Sequence, residues 1–210
     1  MIKTIATNPY NVVFELDIIH KAFENGLDLL YVFKPKFTHR EMEEFILSID
    51  SKYHNRLIIA TYTDLAEKYK TRGYLVEKDK FGSFFYNLFI LKPFLKRNPD
   101  MWIFSQVKQI SQLETLDKRA KHVFIYPVFI ENYNDNIIKL VDSTRLNAMK
   151  DERRVYAMGG VSINRIKETE KLGFSGFVLQ SAIWRSPKPI DSFLSICEQI
   201  SPENRNVKIV

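Results

Sequence analysis

Short runs of apolar and β-branched residues recur along the whole chain, separated by longer stretches with apolar residues at every third or fourth position. The short runs are typical of strands, and the 3.6-residue period of the longer stretches is typical of helices. Eight strands are therefore predicted, over Lys3 to Thr7, Asp28 to Phe33, Arg56 to Thr61, Gly73 to Glu77, Met101 to Gln106, His122 to Val128, Arg154 to Met158 and Gly176 to Leu179.

The clearest helix signal follows the second predicted strand. Its apolar face has the spacing i, i+3, i+4 and i+7, given by Met42, Phe45, Ile46 and Ile49. Thr38 and Glu41 precede this face with the spacing of a capping box. A helix that begins just after this threonine is therefore predicted.

Other helices are indicated by their ends. The first is predicted to end at Gly26, because glycine adopts the left-handed conformation of a C-terminal cap. Ser162 is predicted to cap a helix that stops at Gly173, and Pro189 leads into the last helix.

The stretch from Phe81 to Leu95 contains six aromatic residues, more than a solvent-facing helix usually carries. One interpretation is a helix that packs over the sheet. The other is a contact surface for a second subunit, which would make the protein a homo-oligomer.

Alternating strands and helices predict parallel strand pairing, because each helix returns the chain to the same end of the sheet. The alternative to a closed barrel is an open doubly wound sheet, which usually has a glycine-rich turn after its first strand. The corresponding segment, Thr7 to Asn11, contains no glycine. We therefore predict an α/β fold, a (β/α)₈ TIM barrel, formed by residues 1–210 as a single domain.

Length, composition and net charge limit the classes of protein to which the chain can belong. With 210 residues, of which 45% are hydrophobic, the chain can form one sizeable core. Its net charge of +6 is spread among acidic residues, which argues against nucleic acid as a partner. Cys197, the single cysteine, is expected in the core. No apolar run is long enough for a signal peptide or membrane span, so a soluble cytoplasmic protein is expected.

Candidate chemistry lies after the last two predicted strands. In barrels of this type, loops after strands seven and eight often bind a phosphate. Gly159 and Gly160 follow strand seven, and backbone N–H groups beside paired glycines can approach an anion closely. Gln180, Ser181 and Ala182 follow strand eight and can open a short helix towards the same anion. A phosphorylated small molecule is therefore the expected ligand.

Three C-terminal segments carry a family resemblance. Tyr156 to Asn164, Leu172 to Val178 and Ser181 to Trp184 resemble the C-terminal signature of the thiamine phosphate synthase and thiazole tautomerase (TenI-like) family. Weaker similarity extends upstream, where Leu30 to Pro35 resembles the second-strand segment of that family and Tyr126 to Phe129 resembles its Gly-Pro-Val-Phe.

The resemblance implies a role in thiamine biosynthesis, in which a pyrimidine methyl pyrophosphate is joined to thiazole phosphate with release of pyrophosphate. The thiazole phosphate would bind at the two C-terminal loops. Departure of pyrophosphate requires Mg²⁺ and neutralisation of the leaving-group charge. Within the resemblance, Lys34 is the expected catalytic cation and Asp79 the expected metal ligand.

Several residues depart from the family pattern on the pyrophosphate side. Phe33 stands where an arginine is expected, and Ala60 to Tyr62 replaces an Asn-Asp-Arg segment. Ile130 to Asp135 replaces a loop rich in threonine and lysine. The loop from Val107 to Ser111 lacks the histidine that tautomerase chemistry would use.

The four histidines are expected to be structural or solvated, because they lie on predicted helices, at their edges or at the start of a strand. Three hypotheses remain open. The chain is a divergent thiamine phosphate synthase, a phosphate-binding or regulatory barrel that has lost catalysis, or a structural subunit that assembles through its aromatic stretch.

Overall fold

The computed structural model describes residues 1–129, 146–147 and 152–205. Eight parallel strands close into a barrel in sequence order, as predicted. The strands are β1 (Ile2–Ala6), β2 (Leu29–Tyr31), β3 (Leu57–Ala60), β4 (Gly73–Leu75), β5 (Trp102–Val107), β6 (His122–Ile125), β7 (Arg154–Met158) and β8 (Gly176–Leu179).

Among the described residues, helices follow most of the strands on the outside of the barrel. They are α1 (Glu15–Glu24), α2 (His39–Ser48), α3 (Thr63–Lys68), α4 (Lys92–Arg97), α5 (Ser111–Glu114), α6 (Ile166–Lys171), α7 (Ser181–Trp184), α8 (Pro189–Glu198) and α9 (Pro202–Arg205). Shorter turns of 3₁₀-helix cover Ser51–Arg56, Lys78–Gly82 and Ile163–Arg165, and a π-helical segment, Tyr86–Leu91, runs directly into α4.

The strand bounds agree with the prediction for β7, for β8 and for the starts of β4 and β6, and they differ by one to three residues at the remaining ends. The largest difference is in β6, which ends at Ile125 and not at Val128. Pro127 has no N–H to donate to a ladder. The next two residues, Val128 and Phe129, donate instead to the carbonyls of Met158 and Gly159. The segment after β6 is therefore attached to the end of β7.

Two layers of apolar side chains form the core. One fills the barrel interior and is rich in aromatic rings, with Tyr31, Phe104, Phe124 and Tyr156 in mutual contact. The other lies between the strands and the surrounding helices. The interior is therefore a packed core, and ligands can approach only at the barrel ends.

The predicted helix ends are largely confirmed. Thr38 and Glu41 form both halves of a capping box at the start of α2. Gly26 and Gly173 adopt positive φ angles of 89° and 92°. Ser162 is a correction, because its hydroxyl makes no capping hydrogen bond and only its carbonyl accepts a 3₁₀ bond, from the Arg165 N–H. The three residues of the 3₁₀ turn Ile163–Arg165 lie between this serine and the start of α6, so Ser162 stands at the N-cap position of that turn and not of α6.

The aromatic stretch from Phe81 to Leu95 is buried on one side and exposed on the other. On one side Leu91 and Phe94 are buried against the barrel, as expected of a helix that packs over the sheet. On the other side Phe84 and Phe89 are about 70% and 67% exposed. In the parts of the chain that the structure describes, no helix combines the length and apolar character needed to cross a bilayer.

Candidate functional site

The loops after β7 and β8 leave the barrel side by side. These strands are parallel neighbours with Met158 opposite Val178, so Gly159-Gly160 and Gln180-Ser181 follow at the same height. The structure thus brings together the two segments that the sequence predicted to form a phosphate site. We call Gly159 to Val161 together with Ser181 and Ala182 the β7–β8 corner.

The two glycines of the β7–β8 corner are required by the backbone. Gly159 and Gly160 have φ angles of 86° and 72°, in the left-handed region that side chains disfavour. A Cβ on Gly160 would lie 2.0 Å from the Phe129 carbonyl oxygen, and one on Gly159 would lie 2.8 Å from the Tyr126 ring. The chain after β6 therefore packs directly onto the glycines, and their small size serves this packing whether or not a ligand binds.

Backbone donors in this corner lack partners. Among the described residues, no acceptor receives the N–H groups of Gly160 and Val161. The N–H groups of Ser181 and Ala182 lie in the first turn of α7, where an α-helix leaves its donors unpaired. Left-handed glycine backbone and a helix start both concentrate positive partial charge. The corner therefore presents backbone donors without any charged side chain.

Gln180 has a positioning role in the structure. Its side-chain Nε2 donates to the Thr7 carbonyl at 3.2 Å, and the Trp184 indole Nε1 donates to the Ala6 carbonyl at 2.7 Å. Both bonds attach the start of α7 to the end of β1. The amide of Gln180 is thus already engaged, and α7 is held in a fixed orientation.

Lys34 follows β2, which only β1 separates from β8 in the barrel, and it is engaged in a buried ion pair. Its Nζ is 2.6 Å from Glu15 Oε2 and also donates to the Tyr10 carbonyl at 3.0 Å, and the lysine side chain has 0% exposure. The rings of Phe37 and Phe45 lie over the ammonium, with centroids 5.4 and 5.2 Å away. Contact with a leaving group would first require this pair to open.

Glu15 is adapted to the same buried environment. Burial raises the pKa of its carboxyl group, and the hydrogen bond and charge of Lys34 act in the opposite direction. Its second oxygen accepts from the Asn8 N–H at 3.0 Å. The pair therefore connects the loop after β1 to the loop after β2, which is a structural role.

A cleft of about 390 Å³ opens beside β2, β3, β4 and β5. Its wall is largely apolar where the family resemblance expects polar groups, because Phe33 and Ala60 belong to the apolar interior set. Polar residues also line the cleft, namely Lys34, Glu77, Lys78 and Gln106. Gln106 was not among the residues predicted for the site. It lies two residues after the interior Phe104, and because alternate strand residues share a face, this spacing could have indicated that Gln106 faces the barrel mouth.

Thr61, also on this cleft, has a φ angle of 75°, which is unusual for a β-branched residue. The Tyr62 N–H donates to the Ala60 carbonyl across it at 2.9 Å, which closes a strained γ-turn. This conformation could not be predicted from the sequence, because threonine normally avoids positive φ angles.

The residues on this side do not form a protein-based magnesium site. Asp79 is exposed on the 3₁₀ turn Lys78–Gly82 and is not among the residues that line the cleft. Glu77 does line it, with its carboxylate 3.5 Å from the Lys80 ammonium. In the described ranges no three potential histidine, cysteine or carboxylate ligands converge. We therefore derive no catalytic step through Mg²⁺.

The histidines make structural contacts. His54 Nε2 lies within 3.0 Å of the Ile46 and Ile49 carbonyls, and His39 Nε2 lies 2.6 Å from Asp64. His122 opens β6 at the end of the barrel remote from the corner, stacked on Trp102 at 4.1 Å. Its burial lowers its pKa to about 3, aided by nearby arginines, so it is neutral at physiological pH.

Comparison with known proteins relates the chain to several barrel enzymes. No protein-family model and no curated protein sequence matches it. Thiamine phosphate pyrophosphorylase from Bacteroides thetaiotaomicron is similar over 95% of this chain and 97% of its own, with a TM-score of 0.68 and 21% identity. The enzyme of that name from Pyrococcus furiosus is similar over 94% and 95%, with a TM-score of 0.70 and 15% identity.

A differently named barrel enzyme is almost as similar. The 3-hexulose-6-phosphate synthase from Salmonella typhimurium is similar over 95% of this chain and 98% of its own, with a TM-score of 0.66 and 14% identity. At such identities the shared feature is the fold, and function has to be argued from the site. The comparisons therefore establish a TIM barrel with thiamine phosphate pyrophosphorylases among its structural neighbours.

Proposed function

We propose that the protein is a thiamine phosphate synthase-like barrel that binds the phosphate of thiazole phosphate or thiamine phosphate at the β7–β8 corner. The observation that carries this proposal is two sets of backbone N–H groups on neighbouring strand ends, at Gly160-Val161 and at Ser181-Ala182, that have no partner within the described part of the chain. A phosphate monoester offers enough oxygens to accept from both sets at once.

The corner suits a phosphate because its donors are fixed before binding. Contacts of Phe129 and Tyr126 with the glycines hold one side, and the bonds of Gln180 and Trp184 to β1 hold the other. Little conformational entropy is lost when an anion enters such a site. The net charge of +6 adds weak long-range attraction for an anionic ligand.

The heterocyclic part of the ligand extends from the β7–β8 corner across the mouth towards the cleft at β2 to β5. The apolar wall around Phe33 and Ala60 offers contact for an uncharged ring, and Gln106 offers an amide for orientation.

The residues expected to catalyse the coupling reaction are not placed to do so. Lys34 is held by Glu15, and Asp79 is exposed outside the cleft, so neither is placed to neutralise a departing pyrophosphate. We infer that ligand binding is retained and that coupling is slow or absent. An active synthase is the second candidate, favoured by Glu77, which keeps one carboxylate on the cleft wall.

Thermal unfolding with matched ligands tests the binding proposal. Thiamine phosphate and thiazole phosphate should raise the melting temperature, whereas thiamine without its phosphate should not. At a ligand concentration 100 times the Kd, the stabilisation is about 2.7 kcal/mol. Equal effects of thiamine and thiamine phosphate would reject the phosphate site.

Pyrophosphate release separates the two candidates. Purified protein with Mg²⁺ and both precursors should release no pyrophosphate above the rate without protein. Release that depends on protein concentration would establish the synthase and overturn the inference that coupling has been lost.

A further inference from the structure

An exposed row of apolar side chains runs along the helical segment between β4 and β5. Phe84, Phe85 and Phe89 are 70%, 73% and 67% exposed, and Leu88 and Ile90 are 43% and 42% exposed. The ring centroids of Phe84 and Phe85 lie 5.8 Å apart, and those of Phe85 and Phe89 lie 6.2 Å apart in a stacked arrangement. We call these five side chains the phenylalanine face.

The phenylalanine face is held rigidly from beneath. Leu91 and Phe94 are buried in the layer between strands and helices. The side-chain amide of Asn87 donates to the carbonyls of Phe81 at 2.6 Å and Ser83 at 2.8 Å, which fixes the start of the segment. A rigid apolar surface loses little entropy when another surface covers it. This face is therefore preorganised for contact.

We propose that the phenylalanine face binds the same face of a second copy of this chain. The first reason is charge. No charged residue occurs from Phe81 to Leu91, although the chain as a whole carries +6. The centres of protein interfaces are depleted in charge and enriched in aromatic residues, and homodimer interfaces are the most apolar. The segment from Phe81 to Leu91 therefore has no charged side chain that could pair with a charged partner.

The second reason is area. A phenylalanine side chain can bury about 150–250 Å², so three of them at roughly 70% exposure offer about 300–500 Å². Leu88 and Ile90 add to this apolar area. A stable interface removes about 800 Å² from each partner. The phenylalanine face thus supplies the apolar centre of such an interface, and the surrounding helix surface supplies its rim.

The third reason is symmetry. A twofold axis perpendicular to a helix places the row of rings against its own copy in the opposite direction. Phe85 and Phe89 form a stacked pair near the middle of the row, so the pair can meet its copy across the axis. One surface then serves both partners and the assembly closes at two subunits.

Mass measurement across a concentration series tests this proposal. Between about 1 and 100 μM, wild-type protein should approach twice the chain mass of 24.8 kDa. The Phe85→Glu, Phe89→Glu variant should remain monomeric with unchanged circular dichroism. Leu47→Glu is the matched control, because Leu47 is 60% exposed on α2 and lies outside the face. It should dimerise like wild type.

A charge-pairing experiment identifies the partner as a second copy. The glutamate variant and the corresponding Phe85→Lys, Phe89→Lys variant should each be monomeric, and their mixture should form a mixed dimer. A monomeric wild type at every concentration would overturn the proposal, as would a dimer that both glutamate substitutions leave intact. Flotation of monomeric wild type with phosphatidylcholine vesicles would assign the face to a membrane surface instead.

Discussion

At the ends of β7 and β8 the polar groups are backbone N–H groups that have no acceptor among the described residues, whereas at the end of β2 the main polar group is a lysine side chain already paired and buried. The donors of the first region are available to a ligand. In the second region the charge of Lys34 is paired with Glu15, and this pair connects two loops. The same barrel mouth therefore has backbone donors at the ends of β7 and β8 and an already paired charge at the end of β2.

This difference follows from what each kind of group requires. Backbone donors at a helix start or beside left-handed glycines can remain solvated without cost until an anion arrives. A lysine ammonium surrounded by Phe37 and Phe45 cannot, because an unpaired buried charge is strongly unfavourable. The apolar residues around the Lys34 ammonium, together with Phe33 on the cleft wall, thus favour a structural role for Lys34 over a catalytic one.

Lys34→Met should have the largest effect on stability. It leaves the Glu15 carboxylate buried without its cation, and breaking such a pair costs about 3–5 kcal/mol. Urea unfolding should show this loss. The double variant Lys34→Met, Glu15→Gln should recover a large part of it because no unpaired charge remains. Lys36→Met, at an exposed lysine two residues away, should change the unfolding free energy by less than about 0.5 kcal/mol.

The Lys34→Met variant also tests whether Lys34 contacts the ligand. If Lys34 is structural, folded Lys34→Met should keep the melting-temperature shift given by thiamine phosphate. Loss of that shift at full folding would place Lys34 in the ligand site after all.

Gly160→Ala should have the next largest effect. A methyl group there would meet the Phe129 carbonyl oxygen and would occupy a φ of 72°, so we expect a loss of about 2–4 kcal/mol. Gly26→Ala is the matched control, since its φ is 89° but no atom lies within 4 Å of the added Cβ. It should lose only about 1–2 kcal/mol in the same urea experiment. Equal losses would show that the loop after β6 does not restrain the corner.

The barrel could be predicted from the sequence because the signals for its strands and helices are local and repeated. Alternating apolar runs and helical periods recur throughout, and capping signals such as Thr38 with Glu41 depend on neighbouring residues only. The β7–β8 corner was predicted for the same reason, since both of its segments directly follow strands whose bounds were predicted correctly.

The part of the mouth formed by the segments after β2, β3 and β4 could not be predicted from local pattern. Whether Lys34 faces a ligand depends on Glu15, which is 19 residues away and approaches only when β1 and β2 pair. The placement of Asp79 depends on a 3₁₀ turn, and the φ angle of Thr61 contradicts threonine's own preference. The partners of a charged side chain belong to the tertiary structure, so its role remained open until the fold was known.

Ser181→Asp should abolish ligand binding while preserving stability. A carboxylate in the first turn of α7 interacts favourably with the helix N-terminus, by about 0.3–1 kcal/mol, but repels a phosphate. The thiamine phosphate shift of about 2.7 kcal/mol at 100 times the Kd should disappear. Ser111→Asp makes the same change at the first residue of α5, after β5, and should keep the shift. Loss of the shift in both variants would indicate a general charge effect and no specific corner.

Asp79→Asn should have the smallest effect. The carboxylate is exposed and does not line the cleft, so its removal should change the unfolding free energy by less than about 0.5 kcal/mol. The melting-temperature shift given by thiamine phosphate should be the same with and without Mg²⁺ in both wild type and variant. If Mg²⁺ strengthens binding in wild type and Asp79→Asn removes that gain, the side of the mouth near β4 binds metal with substrate phosphate. In that case the contrast between a binding side and a structural side of the mouth would fail, because both sides would hold parts of one catalytic site.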